Sequence, residues 1–289
     1  MPIVLNINQA TRYKQDGFLS PVTVLSAYEA NHYRERFEAY EKANDGWYEL
    51  SKGQKLYLLQ TWVAELAAHP KVLNAVEDVL GPNILVWGSS LFIKDANQGE
   101  YVSWHQDSTY WGLSSPDVVT AWIALSPATQ QSGCMKMMPG SHKFDQVKHR
   151  DTFDEKNLLT RGQEVVNDVN EVDSVLVELQ PGQMSLHHVK IVHASDPNQS
   201  DYRRIGVAIR FIAPHVKQIY AKKDSAWLVR GNDSFGNFIH EAPPKADMDA
   251  SALIEHERIM KLRQDVLYKG ADGKPAHTKL PAQRVSNTS

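Results

Sequence analysis

Four consecutive residues, Trp104-His105-Gln106-Asp107, set an imidazole two positions before a carboxylate. On a strand or at its end, positions i and i+2 point the same way, so His105 and Asp107 can face one point in space. Such a pair supplies two of the three ligands of a facial iron(II) triad. His-x-Asp also arises by chance, so the pair alone says little. The second half lies far downstream, in Val192-His193-Ala194-Ser195 and the trailing Arg204. His193 follows a β-rich stretch and precedes a turn, as a third ligand at a strand end would. Two neutral imidazoles and one carboxylate leave three iron positions open, enough for a bidentate 2-oxo acid and O2. Arg204 opens the next β run and can return beside His193. Its planar guanidinium matches the distal carboxylate of 2-oxoglutarate, and the Ser195 hydroxyl can add a donor to the same group.

These assignments have rivals. His187 and His188 lie in the same short stretch as His193, and histidines beside a metal often serve as hydrogen-bonding supports. The Ser195–Arg204 context favours His193 and leaves the other two a structural role. Neighbours on a strand face opposite ways, so only one of Arg203 and Arg204 should look inward. Arg210 shares the strand parity of Arg204, and an inward arginine in an apolar strand needs a partner. That partner is either substrate or an acid in a structural ion pair. Trp104, Tyr110 and Trp111 flank the first two ligands and are candidate pocket walls, with Trp104, Tyr110 and Arg210 the candidate substrate residues. Trp122, inside an apolar run, reads as core. Pro139-Gly140-Ser141-His142 reads as a turn at the pocket rim, and Lys143, Lys148, His149 and Arg150 as a solvated loop diluted by Asp145, Asp151 and Asp154.

The elements that must position these groups come in three textures. Residues 24–45 read as a surface helix with Val24, Leu25, Tyr28, Tyr33, Phe37 and Tyr40 on its apolar side. Residues 54–80 read as two helices broken near His69-Pro70 and stopped by Gly81-Pro82. From Ile84 short β-rich runs follow at Ile84–Ile93, Val118–Leu125, Ser174–Leu179, Met184–His188 and Ile205–Ile212. Many are separated by turn signals such as Pro139-Gly140 and Pro181-Gly182. Short strands without regular helices between them favour an antiparallel sandwich or barrel. The polar stretch between His142 and Asp173 reads as a long excursion of the kind that often forms a lid. A helical pattern returns after about Met248, and a polar tail follows from about Lys269. The expected organisation is one domain over 1–289, with a helical part at 1–80, a β core at about 84–220 and a helical extension at about 248–289.

The bulk numbers narrow the classes. Of 289 residues 42% are hydrophobic, so a sizeable core can form, and a net charge of −3 offers no general attraction to nucleic acid or anionic membranes. One cysteine, Cys134, precludes an intrachain disulfide and suits a reducing compartment. No secretory signal or membrane-spanning run is visible, so the expected location is cytoplasmic and the expected partner a small molecule. Nothing in the sequence speaks to oligomeric state.

Taken together, these motifs resemble the phytanoyl-CoA dioxygenase family of 2-oxoglutarate oxygenases. The resemblance begins at Asp16-Gly-Phe18 and continues through His105-Gln-Asp107, Thr120-Ala-Trp-Ile-Ala-Leu125, Gly133-Cys-Met135 and Pro139-Gly-Ser-His142. It closes at His193-Ala-Ser195 and its arginine. It implies a mainly β fold with flanking helices, a double-stranded β-helix (jelly roll, cupin-like). It also implies Fe(2+) held by His105, Asp107 and His193, with 2-oxoglutarate at Arg204 and Ser195. The implied reaction is hydroxylation of a C–H, driven by O2 and by decarboxylation of 2-oxoglutarate to succinate and CO2. Members that halogenate carry glycine or alanine where this chain has Asp107, so hydroxylation is favoured over halogenation or desaturation. A jelly roll that binds metal without catalysis is the alternative from another class, and the acidic balance argues against a nucleic-acid demethylase. Nothing shows a CoA site; Arg210 motivates a small, polar metabolite as substrate.

Overall fold

The computed structural model describes residues 3–44, 46, 54–221 and 223–267. An N-terminal helix α1 (Ile7–Asp16) leads into strand β1 (Phe18–Thr23) and helix α2 (Ala27–Ala43). Ser26 and Glu29 close a reciprocal capping box at the start of α2. That cap explains why the helix begins later than the apolar pattern suggests: Val24 and Leu25 instead hydrogen-bond Gly182 as extended chain. Tyr28 is 82% exposed, so the buried side of α2 is Ala30, Tyr33 and Phe37. Helices α3 (Thr61–Ala67) and α4 (Pro70–Leu80) break at His69-Pro70 as expected, with Pro70 in the first turn of α4.

Next come β2 (Ile84–Lys94), β3 (Val102–His105), β4 (Val118–Ala124) and β5 (Met135–Met137). A small hairpin, β6 (His149–Asp151) with β7 (Gln163–Val165), occupies the polar excursion. The chain continues through β8 (Val175–Val177), β9 (Gln183–His188), β10 (His193–Ser195) and β11 (Arg204–Ile212). It ends on β12 (Asp224–Arg230), β13 (Phe238–His240) and helix α5 (Ala250–Leu267). Strand structure therefore reaches back to Phe18 and on to His240, beyond the expected 84–220. The expected polar tail from Lys269 lies outside the described residues. On α5, Ile259 and Val266 are buried, whereas Leu253, Ile254 and Leu262 are exposed.

Seven strands form one sheet in the order β1-β9-β4-β11-β2-β12-β13, and four form a second in the order β3-β10-β5-β8. This is the expected jelly roll. Strand β11 shows how one sequence serves two faces. Ile205, Val207 and Ile209 join the core shared with Phe37, Trp62 and Val72 of the helices. Arg204, Ala208 and Arg210 face the space between the sheets. An apolar layer of Phe18, Trp122, Met135 and Met137 fills part of that space. The functional pocket is the remainder.

Candidate active site

His105 ends β3 and His193 begins β10. The two strands pair antiparallel with these histidines directly opposite, their ring centroids 4.1 Å apart. Asp107 opens a short 3-10 turn after β3, so the turn, rather than strand parity, brings its carboxylate back to His105. One ligand atom from each of His105, Asp107 and His193 lies within 4.8 Å of the others. Both histidines are buried, and each places Nδ1 beside a backbone carbonyl: His105 at 2.9 Å from Ser103 O, His193 at 3.0 Å from Ile191 O. A carbonyl only accepts, so Nδ1 carries the hydrogen and Nε2 presents a lone pair to the cavity. Burial also drives His193 well below its ordinary pKa, which keeps the ring neutral. In the neutral Nδ1-H tautomer the His105 Nε2 lone pair faces a carboxylate oxygen of Asp107 at 3.4 Å, acceptor against acceptor. A divalent cation between them resolves that conflict, and the donor set of two imidazoles and a carboxylate suits iron(II).

The ligand-bearing segment is held by Gln106, which is fully buried between the two ligands. Its amide donates to Lys190 O at 2.8 Å and accepts from Gln146 Nε2 at 2.7 Å and Val147 N at 2.9 Å. Its backbone N–H donates to His149 Nε2 at 3.0 Å. The polar excursion therefore braces the site, and none of its residues lines the pocket. His149 belongs to that brace rather than to a solvated loop.

Arg204 lies at the closed end of the same pocket, 1% exposed. Its Nη1 donates to Gly133 O at 2.6 Å, its Nε has no partner, and burial lowers its pKa to about 10. Among the described residues it makes no ion pair. A buried guanidinium without a carboxylate is costly, and an anionic ligand would remove the cost. Two glycines make this end possible. Gly133 has φ +73°, and a Cβ there would sit 2.2 Å from Asp196 O, so its carbonyl can approach Arg204 only as glycine. A Cβ on Gly206 would lie 2.0 Å from the Trp122 ring.

Sequence reasoning missed a buried lysine here. Lys94, which pairs in register with Arg204, is fully buried and donates to Ser195 Oγ at 2.6 Å and to the Asp196 carbonyl. Burial, then the nearby Arg204 charge, lowers its pKa to about 6. Ser195 and Arg204 line one end of the pocket, and Lys94 holds the Ser195 hydroxyl from behind the lining. Trp122, read as core, also lines this pocket, with Arg204 Cζ 5.3 Å from its ring.

The remaining expectations divide. His187, assigned a structural role, lines the pocket with Nε2 3.9 Å from Asp107, and burial lowers its pKa to about 4. His188 points elsewhere, against His142. Arg203 faces outward to Glu41 and Asp95, as parity required. Arg210 lines the pocket. Trp104 does not: alternation turns it to the outer side of β3, where Nε1 donates to Glu171 and Lys136 lies 5.4 Å from the ring. Tyr110 is likewise outside the lining, stacked under Arg161 at 3.6 Å. The Pro139–His142 turn braces α1 through Gly140 N to Asp16 O and His142 Nε2 to Lys14 O, rather than rimming the pocket.

The phytanoyl-CoA dioxygenase family model matches residues 13–206, two-thirds of the chain and every residue of the triad. The chain belongs to this family. That places it in the superfamily of iron- and 2-oxoglutarate-dependent oxygenases, oxidoreductases whose cofactor set is the one the sequence implied. A probable alpha-ketoglutarate-dependent hypophosphite dioxygenase of Stutzerimonas stutzeri is 27% identical over 61% of this chain and 58% of that protein. The L-proline trans-4-hydroxylase of Streptomyces griseoviridis is 26% identical over 47% of this chain and 54% of that protein. The chain thus spans little more than half the length of these curated relatives. Among solved structures, the non-heme monooxygenase ThoJ is 35% identical with a TM-score of 0.81, covering 90% of this chain and 98% of that one. CytC3, at 20% identity and a TM-score of 0.64 over 83% of this chain and 94% of that one, shares the fold. No helix among the described residues is long and apolar enough to cross a membrane.

Proposed function

We propose that this chain is a single-domain iron(II)/2-oxoglutarate dioxygenase that hydroxylates an unactivated C–H of a small, polar metabolite. In this reading it acts in the cytoplasm, without a nucleic-acid or membrane partner. His105, Asp107 and His193 hold the metal, and Arg204 and Ser195 receive the distal carboxylate of 2-oxoglutarate, with Lys94 positioning the Ser195 hydroxyl. What supports the reading is one pocket holding both a converging set of acceptors and a buried guanidinium with no carboxylate of its own. The bound iron supplies the oxidising chemistry, coupling O2 and loss of CO2 from 2-oxoglutarate to insertion of one oxygen into substrate. The chain's residues supply position and exclusion of water. The carbonyls of Ser103 and Ile191 fix the imidazole tautomers, Gln106 fixes the ligand segment, and Trp122 and Phe92 wall the route between the two ends. The halogenating members that this chain resembles carry glycine or alanine at the position of Asp107, which favours hydroxyl as the group transferred.

The test is a metabolite screen for O2 uptake with iron(II) and 2-oxoglutarate present, followed by product mass. Stoichiometric succinate and a product heavier by one oxygen are expected. A chlorinated product in chloride buffer, or no consumption of O2 or 2-oxoglutarate with any metabolite, contradicts it.

A further inference from the structure

The pocket has a second cationic group that the cosubstrate does not explain. Antiparallel register sets Arg210 of β11 beside Thr120 of β4, and Thr120 beside His187 of β9. All three line the pocket at its Asp107 side, away from Arg204. Gly88 is the opposite neighbour of Arg210 on β2, so no side chain there crowds the guanidinium stem. Arg210 Nη1 donates to Ser90 Oγ at 2.7 Å, while Nε is buried without a partner. The rings of Phe92 and Trp111 lie 5.9 and 5.7 Å from Cζ and hold the group in place.

Among the described residues Arg210 makes no ion pair, and Asp107 is the one acid in the pocket lining. Asp107 lies close enough to feel its charge, but that carboxylate faces His105 at 3.4 Å, with the Thr120 hydroxyl at 3.5 Å and His187 at 3.9 Å on its other oxygen. Charge then decides what the pocket lacks. Leaving Lys94 aside, two arginines and a divalent ion stand against one carboxylate and a doubly charged cosubstrate. One positive charge remains unmatched, and it sits on Arg210, away from the cosubstrate end. Arg210 is only partly exposed and its Nε is sealed from solvent, so a counter-ion would offset the cost of its desolvation.

We infer that Arg210 binds an oxyanion group of the substrate, carboxylate or phosphonate, with Thr120 and His187 beside it. The substrate is thereby a small anion whose reacting C–H is a short distance from its charged group. The inference rests on the oxygenase reading above, and its test separates the two.

Wild type and Arg210→Gln are first titrated anaerobically with iron(II) and 2-oxoglutarate by calorimetry. Failure of wild type to bind either one overturns the oxygenase reading and this inference with it. Loss of 2-oxoglutarate binding in Arg210→Gln alone assigns Arg210 to the cosubstrate and overturns this inference only. The loaded proteins are then titrated with propionate, methylphosphonate and uncharged propionamide. Wild type is expected to bind at least one of the two anions at least tenfold more tightly than propionamide, and the better of them marks the oxyanion type. Arg210→Gln should lose that preference by roughly 10- to 100-fold, the usual worth of a charged hydrogen bond, with part restored in Arg210→Lys. Neither anion binding wild type, no preference over propionamide, or a preference that survives in Arg210→Gln overturns it.

Discussion

The two sheets that enclose the pocket are built differently, and they carry different halves of its chemistry. The four-stranded sheet is made of strands three or four residues long, yet it presents both histidines and, through the adjoining turn, the aspartate. The seven-stranded sheet has strands of up to 11 residues, with its outer face covered by the helical core, and it presents Arg204, Lys94 and Arg210. Long strands packed on helices can hold a buried guanidinium such as Arg204, because a large apolar face offsets its desolvation. The short strands β3, β5 and β10 bring few residues each, although nearly all are buried, so the acceptor cluster depends on local braces such as Gln106 and on a cation to satisfy it. A mutation on the long-strand side should therefore weaken cosubstrate binding while leaving metal binding intact.

The largest effect expected is on the short-strand side. Alanine at His105, Asp107 or His193 should weaken iron(II) binding at least 1,000-fold and abolish coupled turnover, while far-UV circular dichroism stays native. Iron binding equal to wild type in any of the three would remove that residue from the triad. Next, Arg204→Ala on the long-strand side should raise the Kd for 2-oxoglutarate about 30- to 1,000-fold, the cost of unpairing a buried charge. Its iron affinity should stay within threefold. Equal losses of both would break the division between the sheets. Gln106→Ala should cost about 10- to 100-fold in iron affinity, as loss of an outer support of a metal site typically does. Affinity unchanged would show that the ligand turn holds without its brace.

The smallest effect concerns Lys94. Its folded pKa is depressed from the ordinary 10.5 to about 6, so over that window the unfolded chain binds a proton that the folded one does not. Stability should accordingly be lost as pH falls from 10.5 towards 6. Denaturant unfolding of Lys94→Met against pH should show a flatter slope in that window. An unchanged slope would mean that Lys94 is charged in the folded protein.

Much of this site was legible in the sequence. His105, Asp107, His193 and Arg204 carry chemically specific side chains at strand ends, and the alternation of β11 tells Arg204 from Arg203 without coordinates. Other features come from pairing register, which no local pattern prints. Lys94 reaches Arg204 only because β2 lies beside β11, and His187 reaches Asp107 only because β9 lies beside β4. The inward lysine closing β2 was the available signal for Lys94. Strands β3, β5 and β10 are too short to show a period of two, and β1 is interrupted by Pro21. Trp104 and Tyr110 were misplaced because adjacency in sequence to a ligand was read as adjacency to the pocket. On β3 alternation sends Trp104 the other way.

The most direct measurement is calorimetric titration of 2-oxoglutarate into the apoprotein and into the anaerobic iron(II) complex. One iron and one 2-oxoglutarate per chain are expected, with cosubstrate bound far more tightly once iron is present, since each sheet then grips one end. Equal affinity with and without iron would mean that the histidine cluster and the Arg204 end do not share one ligand, and would contradict the account.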